Sequence, residues 1–229
     1  MDMRKLITFM AMVLFILSAL PAQANVWTFG DDVNNWDGWG TYKENKLDVI
    51  GIPDLTGGEA TYSGNTLQSV SFFFTVDQYQ NLYPNLSSGD LFVNTDNDSS
   101  WNYVIKLNSD LTASVYDFQK SYTDPNAYEL GFYSAGDYRD NHPAWGIVSA
   151  DAIASGTWSG MPALNGGTTG TITIAGLNID FDSLTLGYTV SCANDVIMTD
   201  ALSKTPIPGA VWLLGSGLLG LIGLRRVKA

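Results

Sequence analysis

The side chains in this sequence best suited to chemistry are oxygen donors, and their most regular spacing is in Val93-Asn94-Thr95-Asp96-Asn97-Asp98. Asn94, Asp96 and Asp98 alternate hard ligands of the kind Ca²⁺ prefers. The stretch is not a helix–loop–helix calcium loop. Ser99 stands where the sharp-turn glycine is required, and Ile105 where a bidentate glutamate would close the site. Two readings stay open: a looser Ca²⁺ site at a strand end, and an Asx-rich hairpin turn whose side chains bond their own backbone. A second stretch sets Trp36 and Trp39 among Asp31, Asp32 and Asp37 on a glycine-rich loop. Indole rings there can stack on a sugar face while carboxylates bond its hydroxyls, or they can cover the edge of a sheet. A third, Asp137, Arg139 and Asp140, is explained by a surface ion pair.

Catalytic sets are hard to assemble. His142 is the only histidine and Cys192 the only cysteine, so neither an imidazole nor a thiolate zinc site can be built. No G-x-S-x-G elbow accompanies His142, which precedes Pro143 in the polar run "YRDNHPAW" and reads as a surface-loop residue. Cys192 reads as a small buried side chain in a strand. Asp195 and Asp200 are its nearest charges, and they would not favour a thiolate. Glycoside hydrolysis needs two flanking carboxylates. Asp180 and Asp182 share a strand face in "NIDFDSL", but opposite Ile179 and Phe181 that face reads as the solvent side.

Charge narrows the partners. Of the 23 acidic residues only Asp2 lies before residue 25, whereas five of the eleven basic residues lie outside 25–205. The central body is therefore more acidic than the net charge of -12 suggests. Such a surface repels nucleic acid and anionic membranes and attracts cations.

These residues must be positioned by strands. Val70, Phe72, Phe74 and Val76 alternate on one face, as do Trp101, Tyr103, Ile105 and Leu107, and Leu184, Leu186, Tyr188 and Val190. "LTASVYDF" and "GTITIAG" continue the period of two. Only "TVDQYQNLY" and "SADAIASG" could hold a turn or two of helix. Nine to eleven short strands bounded by Gly, Asn, Asp and Ser predict an all-β fold: a single jelly-roll-like antiparallel β-sandwich over residues 25–203. An N-terminal signal helix and a C-terminal hydrophobic helix flank it.

The two ends address delivery. Arg4 and Lys5 precede an apolar run from Leu6 to Leu20, then Pro21-Ala22-Gln23-Ala24. This is a secretory signal over residues 1–24, with Ala22 and Ala24 as the small residues of the cut and Asn25 as the new N-terminus. The run from Val211 to Leu224 would rise only about 21 Å as a helix, short of the hydrocarbon core. It has no polar face, and Arg225, Arg226 and Lys228 follow it and hold that end inside. Gly215, Ser216, Gly217, Gly220 and Gly223 suit close approach by another membrane helix.

With Pro206-Ile207-Pro208-Gly209, the apolar "AVWLLGSGLLGLIGL" and the terminal "RRVKA", residues 204–229 resemble the PEP-CTERM sorting signal of exopolysaccharide-producing Gram-negative bacteria. Ile207 stands where the namesake motif carries Glu. The resemblance implies a membrane-embedded cysteine protease of the exosortase type as partner, cutting near Pro206 and Pro208, after a stay in the inner membrane. It implies a route and no activity. Two functions follow. One is an exported, non-catalytic cell-surface or extracellular-matrix protein, with exopolysaccharide or Ca²⁺ as candidate ligands. The other is a secreted jelly-roll enzyme acting on polysaccharide.

Overall fold

The computed structural model describes residues 24–31, 54–75, 87–122, 124–132, 138–161, 169–191 and 196–203. Everything among them that is regular is strand, apart from one 3₁₀ turn at Pro125–Ala127. The strands are β1 (Ala24–Phe29), β2 (Asp54–Ser63), β3 (Thr66–Thr75), β4 (Ser88–Asn94), β5 (Ser100–Leu107), β6 (Thr112–Ser121), β7 (Tyr128–Phe132), β8 (Tyr138–Gly146), β9 (Ala154–Trp158), β10 (Thr169–Asp180), β11 (Ser183–Val190), β12 (Val196–Met198) and β13 (Leu202–Ser203). Eleven form one antiparallel sheet in the order β1-β2-β3-β10-β9-β6-β5-β4-β11-β12, with β13 added to β11. β7 and β8 form a separate hairpin.

The sheet curls until its two wings meet, and apolar alternation drives the closure. Val70, Phe72 and Phe74 of β3, with Ile172 and Ile174 of β10, face Leu91 and Val93 of β4 and Leu184, Leu186 and Tyr188 of β11 in one fully buried cluster. Burying each large side chain of this kind stabilises by about 1.5–3 kcal/mol. β4 and β11 are buried on both faces. A second cluster on the outer face, Phe92, Trp101, Val104, Phe118 and Tyr128, lies under the β7–β8 hairpin.

Three local expectations change. Tyr103, Ile105 and Leu107 join the inner cluster, but Trp101 turns to the outer one. The register slips at the same point: Trp101 pairs with Lys120 while Tyr103 pairs with Asp117, which leaves one extra residue on β6. His142, expected in a loop, lies within β8, where register shifts against β7 accommodate Pro143. "SADAIASG" holds no helix; its end becomes β9. Val76, Cys192 and the two segments expected to form flanking helices lie outside the described residues.

β1 is keyed to its place at the sheet edge. Trp27 and Phe29 pack against the inner cluster, and Phe29 lies 5.9 Å from Phe72 between ring centroids. Its seat requires glycine beneath it. A Cβ on Gly58 would meet the Phe29 ring at 2.7 Å, and one on Gly57 would meet the Phe29 carbonyl at 2.4 Å.

Candidate functional site

Three turns meet at one end of the sheet: residues 64–65 between β2 and β3, 95–99 between β4 and β5, and 181–182 between β10 and β11. Backbone bonds lock them together. The Phe181 N–H donates to the Asn65 carbonyl at 2.9 Å, and those of Asp182 and Ser183 donate to the Thr95 carbonyl at 2.8 and 3.1 Å. Between the turns opens a polar cleft of about 480 Å³ lined by Asn65, Thr95, Asp96, Asp180, Phe181 and Asp182.

The stretch from Asn94 to Asp98 forms one wall, and its side chains are tied to the chain itself. Asn94 is 1% exposed. Its carboxamide oxygen accepts the N–H groups of Asp96 and Asn97, both at 3.0 Å, and its nitrogen donates to the Asp98 carbonyl and the Tyr122 hydroxyl. All four hydrogen-bonding positions of the amide are in use, so no lone pair remains for a cation. Asp96 accepts from the Asp98 N–H at 3.2 Å and the Asn102 amide at 3.2 Å, and Asp98 from the Ser100 N–H at 2.7 Å. Asn97 takes a left-handed φ of 63°, which asparagine tolerates. These are the bonds of an Asx-rich turn. Of the three expected ligands, Asn94 is the one whose side-chain oxygen caps two backbone N–H groups here.

Asp180, the last residue of β10, and Asp182, in the turn after it, are both exposed, while Ile179 and Phe181 are buried; the two carboxylates do not share a strand. Asp180 accepts from the Thr66 hydroxyl at 2.6 Å. With three carboxylates on its rim, the cleft is anionic and offers mainly acceptors. It is suited to hydroxyls or to positively charged groups. Among the described residues, no three His, Cys, Asp or Glu side chains gather closely enough to hold a metal ion.

The sequence missed one buried ion pair. Asp90, 4% exposed, meets the Lys106 ammonium at 2.8 Å and also accepts the Gly146 N–H at 2.9 Å. It joins β4 and β5 to the hairpin that covers them. The convergence of Asp96 with Asp180 and Asp182 was equally invisible, because it depends on β3 pairing with β10 and β4 with β11.

Of the other expected site residues, Ala24 begins β1, opposite Ser63. Ala22, Trp36, Trp39, Pro206, Pro208, Gly209, Arg225, Arg226 and Lys228 lie outside the described residues. No described helix is long and apolar enough to cross a membrane. No protein-family model matches the chain, and neither a curated protein nor a solved structure matches it.

Proposed function

We propose that this protein is exported and non-catalytic. In this reading it is held in the inner membrane by residues 204–229, trimmed near Pro206 and Pro208 by an exosortase-type protease, and then retained at the cell surface or in an exopolysaccharide matrix. The observation that carries the proposal is the order of pieces in the tail: Pro-Ile-Pro-Gly, an apolar run without a polar face, then Arg225, Arg226 and Lys228.

The finer architecture is part of the proposal. It is a jelly-roll winding of these antiparallel strands, whose curled sheet encloses one apolar interior. A non-catalytic role is supported by the concave side of the sheet. That side is filled by Phe72, Tyr188, Leu186 and their neighbours, where a polysaccharide-cleaving sheet would line an open groove with paired carboxylates. The Trp36–Trp39 loop is the candidate glycan contact.

The test is a reporter carrying residues 1–24 in front and 204–229 behind. It should be exported, held in the membrane and then shortened. Pro208→Ala with Gly209→Ala should leave it uncut in the inner membrane. Trimming of that variant at an unchanged rate would refute the proposal.

A further inference from the structure

The two ends of the described body lie at the same end of the sheet. Ala24 pairs with Ser63 at the start of turn 64–65, and Ser203 pairs with Ser183 just after turn 181–182. The Phe181 N–H bonds the Asn65 carbonyl and joins the two turns directly. The opposite end carries turn Asn108–Leu111, closed by bonds from the Asn108 N–H to the Thr112 carbonyl and from the Leu111 N–H to the Asn108 carbonyl.

We infer that the end formed by turns 64–65, 95–99 and 181–182 faces the lipid bilayer while the chain is held by its tail, with turn Asn108–Leu111 pointing away. The inference rests on the membrane-held tail proposed above. The chain between Ser203 and the apolar run is short: the seven residues to Ala210 reach at most roughly 25 Å when extended. β5 spans the body from Ser100 to Leu107, also roughly 25 Å. A tether of that length attached at the Ser203 end cannot favour the far end at the membrane. On the N-terminal side, Leu20 is only four residues from Ala24, a reach of roughly 14 Å. Both apolar segments can therefore sit in one bilayer with β1 and β13 still paired. The cleft with Asp96, Asp180 and Asp182 then faces the lipid, and the tether holds it there against its own negative charge.

Energy transfer to the membrane tests this. Ser99 and Ser109 are exposed residues at the two ends of β5. A donor dye is placed at Ser99→Cys or Ser109→Cys, each in a Cys192→Ser background. The full chain is then reconstituted in phosphatidylcholine vesicles containing headgroup-labelled acceptor lipid. Transfer should be about twofold or more greater from position 99, given their separation along β5. Reduction to residues 25–203, which removes both apolar segments, should abolish transfer from both. Equal or reversed transfer in chains that float with the vesicles would overturn the orientation alone. Transfer that survives truncation would show an adsorbed rather than tethered surface and would also overturn it. Failure of the full chain to float with the vesicles would refute the tail reading, and the orientation with it.

Discussion

Phe72 of β3 and Tyr188 of β11 stack across the interior with ring centroids 4.1 Å apart and planes 13° from parallel. The two strands are not neighbours in the sheet. Their contact is where the curled wings close on each other, and both side chains are fully buried.

Phe72→Ala should therefore destabilise the body by about 3–5 kcal/mol, whereas Phe73→Ala, half-buried on the other face of the same strand, should cost about 1 kcal/mol. Urea unfolding of the two variants measures the difference. Equal losses would contradict the assignment of inner and outer faces.

Alkaline pH should unfold the protein through Tyr188 and Tyr128. Burial pushes both phenols well above their ordinary value of 10.0. For Tyr188 the Ser88 hydrogen bond opposes the rise and the Asp90 charge adds to it; for Tyr128 the charges of Tyr122 and Asp124 add. Above pH 10 the unfolded chain releases phenolic protons that the folded chain keeps. This stability is thus complete below pH 10 and falls above it, by about 1.4 kcal/mol per pH unit for each such tyrosine. Tyr188→Phe should roughly halve the slope in pH-dependent urea titrations. An unchanged slope would mean that Tyr188 ionises freely.

Much of this fold is legible in the sequence, because the inner face obeys a strict period of two at Val70, Phe72 and Phe74 and at Leu184, Leu186 and Tyr188. What is not legible is non-local. Trp101 leaves the alternation of β5 beside a bulge that adds one residue to β6, and a period of two reports neither. Asn65, Thr95, Asp96 and Asp180 meet only because distant strands pair, and no local spacing reports that. Asp90 and Lys106 read as strand polar residues until the β7–β8 hairpin is laid over them.

The turn at Asn94 should behave as a structural device. Asn94→Ala removes the acceptor of two backbone N–H groups and the donor to two oxygens, and should cost about 2–3 kcal/mol. Millimolar Ca²⁺ should leave the melting temperature unchanged. A Ca²⁺-dependent rise that disappears in Asp96→Asn with Asp98→Asn would restore the ligand reading of those two carboxylates.

Lys106→Met should destabilise by about 2–4 kcal/mol, because it takes the ammonium from Asp90 in a site where the carboxylate is 4% exposed. Adding Asp90→Asn should recover most of the loss. If the double variant is no more stable than the single one, the pair contributes through packing and not through charge.

The central claim, delivery by two removable signals, is tested most directly by the intact mass of the protein recovered from cells that process it. The account predicts a chain that starts at Asn25 and ends before the apolar run at Val211, with or without an attached group at the new C-terminus. A surface-located chain that keeps Arg225, Arg226 and Lys228, or one that still begins at Met1, would contradict it.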